Sequence, residues 1–117
     1  MKLIQLKLTT SEVEVPKIEA DMILYALKVI VKEIPLWEFQ TIMGYYMEEV
    51  QSLIDKLHTI TESHQSLEIY NFDLSFDELY IIHGALRECG YTQRNKSVEK
   101  ELFQSVEKLI KQIKDQT

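Results

Sequence analysis

The sequence predicts an α+β domain, a small antiparallel sheet packed against four helices. Three observations point there. Short stretches alternate apolar and polar residues at Ile4/Leu6/Leu8, Val13/Val15 and Tyr70/Phe72/Leu74, the pattern of strands with one buried face. Longer stretches repeat apolar residues at helical spacing, and start and stop signals bound them. The order strand, helix, helix also comes twice.

The chain begins with a strand carrying Ile4, Leu6 and Leu8 on its inner face. A polar stretch follows, and the apolar phase shifts to Val13 and Val15, as across a hairpin or a bulge. Pro16 suits a helix start, so the first helix is expected over Lys17–Glu33. It is apolar nearly all round, which calls for cover by other elements or by a second chain. Pro35 stops it, because the residue before a proline avoids helical backbone. A second helix is expected over residues 36–61. There Leu36, Met43, Val50 and Leu57 repeat every seven residues, with Phe39, Tyr46, Leu53 and Ile60 each three positions later. Gly44 and Gly84 both fall inside helices on this reading.

Residues 62–66 link to the third strand, which leads into the most completely punctuated helix, residues 74–90. Ser75 and Glu78 form an S-x-x-E capping box. Leu79, Ile82, Leu86 and Cys89 form one apolar face, and Gly90 suits the left-handed end. A loop over 91–95 precedes a last helix over 96–114. Glu99 and Glu101 lie near its start, and Lys108, Lys111 and Lys114 near its end, matching the helix dipole. Shifting the chain by 59 positions lays Ser75 on Pro16, and Ile82, Ala85 and Leu86 on Ile23, Ala26 and Leu27. The last helix aligns with the second at an offset of 56, with Val106 on Val50. Two degenerate strand–helix–helix repeats are therefore expected, approximately 1–61 and 67–117, within a single domain over 1–117. The second and last helices are expected to pack together.

Composition limits function. The chain has 117 residues, 45% hydrophobic and 27% charged, an ordinary balance for a soluble domain with a real core. A net charge of −6 disfavours a general nucleic-acid binder, which needs a basic stripe to displace counterions from phosphates. One cysteine excludes an internal disulfide framework and fits a reducing compartment. MKLIQLKL is too polar for a secretory leader, and no apolar run is long enough for a membrane span. A cytoplasmic protein is expected.

No catalytic constellation stands out. Cys89 lies on an apolar face and reads as a buried thiol. His83 sits beside that face and reads as an edge histidine with one hydrogen-bond partner. Asp55, His58 and Glu62 share a helix face with His64 beyond, but three ligands on one helix rarely complete a metal site. There is no CxxC, HExxH or calcium loop, and three glycines leave no phosphate cradle. No metal and no cofactor are expected, nor enzymatic activity.

The aromatic content at the start of the second helix does stand out. Trp37, Thr41, Tyr45 and Glu48 lie off the heptad seam on a face of their own. Tryptophan and tyrosine in such places are enriched at interface hot spots. The first expectation is a protein–protein interaction protein of the adaptor, inhibitor or immunity/antitoxin-like kind, with Trp37, Thr41, Tyr45 and Glu48 as the partner-binding face. Its acidity suits a basic partner, and the apolar first helix suggests a homodimer. A second expectation is a small-molecule-binding domain or enzyme, with a pocket between sheet and helices lined by His83, Tyr80 or Tyr25. A third is a structural homo-oligomer.

Overall fold

A computed structural model describes residues 1–92 and 96–116, with side chains through 89 and from 100. Three strands and five helices follow the order β1 (Lys2–Leu6), β2 (Thr10–Pro16), α1 (Lys17–Glu33), α2 (Leu36–Met43), α3 (Met47–Ser63), β3 (Ile69–Ser75), α4 (Phe76–Thr92) and α5 (Lys96–Gln116). The sheet is antiparallel in the order β1-β2-β3. This is the α+β class that the alternation and the helical periodicity predict.

The sheet has one buried face because its central strand alternates strictly. Ser11, Val13 and Val15 point inward from β2, and Tyr70, Phe72 and Leu74 from β3. The register sets Val13 against Phe72 and Val15 against Tyr70, and the Tyr70 and Phe72 rings stack with centroids 5.8 Å apart. The opposite face is charged. Glu12 lies directly across from Asp73, a repulsive pairing. Lys7 relieves it: its Nζ donates to Asp73 Oδ1 at 2.8 Å, and that hydrogen bond, with Glu12 also nearby, raises the Lys7 pKa.

The first strand departs from the simple alternation. Its pairing with β2 slips between Leu3 and Gln5, so one extra residue is accommodated there. Leu3 and Leu6 therefore pack on the core, while Ile4 is half-exposed and Leu8 stands fully in solvent at the hairpin tip. The expected Ile4/Leu6/Leu8 face is thus corrected to Leu3 and Leu6, because a bulge changes phase without breaking the sequence pattern.

Both inner strands run straight into helices. Pro16 is the residue before α1, and Ser75 the residue before α4. At Ser75 the capping box is complete. Glu78 N–H donates to Ser75 Oγ at 3.1 Å, and Ser75 N–H to Glu78 Oε1 at 2.8 Å. Glu78 also takes the Lys56 ammonium at 2.8 Å, and the same ammonium donates to the Asp73 carbonyl. A lysine from α3 thereby occupies a backbone acceptor of β3. Helix α4 continues to Thr92, past Gly90, so that glycine does not end it. Most of the loop expected over 91–95 lies outside the described residues.

The expected continuous second helix is broken. Gly44 takes φ +79, a left-handed conformation that ends α2, and its N–H bonds to the Gln40 carbonyl at 2.7 Å. Helix α3 restarts at Met47, with Tyr46 N–H held by Glu49 Oε2 at 2.9 Å. Gly44 is therefore a helix terminator, not an interior residue. The heptad seam does not survive intact: Phe39, Met43, Val50, Leu53 and Leu57 are buried, but Leu36 and Tyr46 are exposed. Gly84 does lie inside a helix, and a Cβ there would come 3.1 Å from Met43 Cε, so its bare backbone admits the end of α2.

Helix packing also differs from expectation. Helices α1 and α4 pack side by side, α3 lies against α1, and α5 against α4 and β1. The second and last helical segments therefore flank the layer and do not form its central pair. The reason is the direct strand–helix junctions, which place α1 and α4 next to the sheet first. Helix α1 is buried through Ala20, Ile23, Leu24, Ala26, Leu27 and Ile30 by elements of its own chain. β2 and β3 have equal lengths, as do α1 and α4. These matches fall short of showing an internal repeat, because α2 and α3 stand where the other half has one long α5.

Two substitutions test the helix ends. Ser75→Ala removes the cap at the start of α4 and is expected to lower stability by about 1 kcal/mol. Gly44→Ala forces a side chain into left-handed backbone and is expected to lower it by roughly 1–2 kcal/mol. Urea denaturation reads both. An unchanged midpoint for either would mean that the corresponding helix end is formed differently.

Candidate functional site

The break at Gly44 rearranges the expected partner-binding face. Trp37 and Thr41, one turn apart on α2, are both exposed, Trp37 at 80%. Leu36 beside it is 70% exposed. The opposite side of α2 inserts Phe39 and Met43 into the core. A short helix thus turns two large apolar side chains inward and two outward, and only the inward pair is covered.

Tyr45 and Glu48 no longer continue the Trp37–Thr41 face. Tyr45 lies in the turn between α2 and α3, half-buried, and its hydroxyl donates to Asp77 Oδ1 at 3.1 Å. Burial first, and the Asp77 carboxylate second, push its phenol up to about 12. Glu48 is exposed in the first turn of α3, a separate helix. The premise of one continuous helix face through all four residues therefore fails. The structure keeps Trp37 and Thr41 together and gives Tyr45 a structural partner on α4. Leu36, which the heptad reading assigned to the core seam, is the exposed neighbour that sequence reasoning missed. Its position directly after Pro35, in the first turn of a helix, was the available signal.

Three acidic side chains have structural partners: Glu78 closes the Ser75 capping box, Glu49 accepts the Tyr46 N–H, and Asp77 receives Tyr45. Cys89 is buried at 1% exposure. His58 lies 3.5 Å from Glu62 on α3, and among the described residues no group of side chains could hold a metal ion. The interior between sheet and helices is packed with apolar side chains, and Ser11 is the buried polar residue among those described.

Two of the three residues proposed for a pocket do meet, but elsewhere. Tyr80 and His83 line a cleft of about 440 Å³ on the outer side of the α4–α5 pair, with Glu107, Lys108, Ile110, Lys111 and Lys114. His83 stacks on Phe103 with centroids 4.4 Å apart, and its Nε2 is 3.4 Å from Glu107 Oε1. It is an edge histidine, as its place beside the apolar face suggested. Tyr25, half-exposed on α1, is not part of this cleft. Among the described residues no helix is long and apolar enough to cross a membrane.

Comparison with protein-family models, with curated proteins and with solved structures returns no match.

Tyr45 yields a pH prediction. Its phenol ionises later in the folded chain than in the unfolded chain, so its contribution to stability is complete below about pH 10 and is lost as pH rises through about 12. An ultraviolet tyrosinate titration should lose its late component in Tyr45→Phe. In Asp77→Asn that component should move only part-way down, because burial, the larger cause, remains. A Tyr45→Phe curve that keeps the late component would assign it to another tyrosine.

Proposed function

We propose that this chain works by binding another protein, as an adaptor, inhibitor or immunity/antitoxin-like neutraliser, and not by catalysing a reaction. The observation that carries the reading is the exposure of Leu36 and Trp37 side by side on α2. Large apolar side chains held in water gain most when an interface covers them. Trp37 is the anchor of the surface, and Thr41 extends it by one turn.

The net charge of −6 suits a basic partner by steering its approach. Helix α1 buries most of its apolar side chains within the chain and leaves Ile18 and Tyr25 exposed, a narrow surface for the expected homodimer. A twofold dimer on this reading would instead use the Leu36–Trp37 patch of both subunits. The acidic, compact chain is best read as acting in the cytoplasm.

Truncating a central tryptophan in a binding patch typically costs about 2 kcal/mol or more of binding. Trp37→Ala is therefore expected to keep the circular dichroism and urea midpoint of the parent while weakening association. Light scattering measures that association for a second copy, and titration with a purified partner measures it for a different protein. Loss of the fold in Trp37→Ala would place Trp37 in the core and end this reading.

A further inference from the structure

The outer surface of the α4–α5 pair carries a second feature. Helix α4 presents Phe76, Tyr80 and His83 in one half-buried stripe. Helix α5 runs beside it with Ile110 on the floor of the cleft and Lys108, Lys111 and Lys114 around it. The contacts tie the two helices into one surface. Phe76 and Tyr80 meet edge-to-face with centroids 4.9 Å apart, and Lys114 Nζ lies 5.5 Å from the Tyr80 ring centre. Lys114 also lines a neighbouring cleft of about 340 Å³, with Phe76 of α4, Ile113 of α5, and Leu6 and Leu8 at the β1–β2 hairpin. The main cleft is an open groove floored by Tyr80 and Ile110, and Lys114 lines both clefts.

The charge of this groove runs against that of the protein. Among the described residues the main cleft is lined by three lysines and one carboxylate, Glu107, which faces His83. The whole chain carries −6. Positive charge is thus gathered over an apolar floor on a surface that is otherwise acidic.

We propose that this groove docks an acidic amphipathic helix of a partner protein. The apolar stripe of that helix would lie on Phe76, Tyr80 and Ile110, and its carboxylates would meet Lys108, Lys111 and Lys114. Charge complementarity selects an acidic occupant. The seat between two helices suits a helix, since an amphipathic one carries its carboxylates beside its apolar stripe as Lys108, Lys111 and Lys114 lie beside Tyr80 and Ile110. A depression between two antiparallel helices is also a recurrent seat for a third. The open form argues against a small ligand, which gains its affinity from being enclosed. The inference shares the protein-binding reading but not the Leu36–Trp37 surface, so either can fail alone.

The test uses the full chain, isotope-labelled, in a nuclear magnetic resonance titration with three probes. They are a synthetic amphipathic peptide with a leucine stripe and glutamates elsewhere, the matched peptide with lysines for glutamates, and palmitate. The acidic peptide is expected to shift the amides of Tyr80, His83, Ile110 and Lys111 saturably, and the basic peptide to leave them in place. Raising salt from about 50 to about 500 mM should weaken the acidic peptide about tenfold. Lys111→Glu with Lys114→Glu should weaken it at least as much. Lys108→Gln with Lys111→Gln, which spares the end of α5 a reversed charge, should give a smaller loss of the same sign. Lys28→Gln with Lys32→Gln on α1 should have no effect. The proposal is overturned if the acidic peptide leaves the groove amides unmoved, if both peptides move them alike, or if the folded α5 variants bind as the parent does. Palmitate moving these amides where the peptide does not would also overturn it, in favour of a small anionic amphiphile.

Discussion

The pairing of β2 with β3 is the constraint on which the rest of the structure depends. It aligns Val13 and Val15 with Phe72 and Tyr70 on one face of the sheet. A slip of one residue would turn one strand's whole inner set to solvent. Each such apolar side chain contributes roughly 1.5–3 kcal/mol by its burial, against about 0.5–1.5 kcal/mol for a hydrogen bond of the ladder. Side-chain burial, not the backbone bonds, therefore selects the register. Because each strand continues directly into a helix, the same register also sets where α1 and α4 begin.

From that pair the layer is built outward. Helices α1 and α4 take the positions next to the sheet, and α3 and α5 close the two sides. Closing the sides leaves two surfaces of different character. At one, the short α2 covers the core with Phe39 and Met43 and turns Leu36 and Trp37 outward. At the other, α4 and α5 meet along their apolar faces but leave Tyr80, His83 and Ile110 at the floor of an open cleft rimmed by lysines. A helix must be apolar enough on one side to be held in place. The width by which that side exceeds its cover in the chain is what remains for a partner.

Local signals were legible in the sequence, and spatial ones were not. Pro16 and the Ser75–Glu78 pair act within a turn of where they stand, and both helices begin beside them. The face of Leu79, Ile82, Leu86 and Cys89 is buried as its spacing predicts. The failure at Gly44 has a physical cause. The α2–α3 turn returns Val50 and Leu57 to the core after Met43, so the seven-residue spacing reads on through a break. The decisive fact is one left-handed glycine, together with Glu49 placed three residues after Tyr46. The β1 bulge is silent in the same way. The pairing of helices was misread because periodicity says which side is buried and not what buries it. The α4–α5 cleft was hidden because its lysines also satisfy the helix dipole, and His83 and Glu107 meet only after folding.

The central β pair joins positions 59 apart in the chain, as Val13 and Phe72 are. Closing a loop of that length costs about 3–4 kcal/mol of chain entropy before any contact across it forms. Until then, the inner side of the β1–β2 hairpin, with Val13 and Val15, lacks its natural neighbour. A chain emerging from the ribosome holds α1, α2 and α3 before β3 exists. Non-local pairings of this kind form slowly, because the loop must close before their contacts reward it. A truncation before the Ile69–Ser75 strand would remove the neighbour of Val13 and Val15 and leave an adhesive half-sheet instead of a smaller protein.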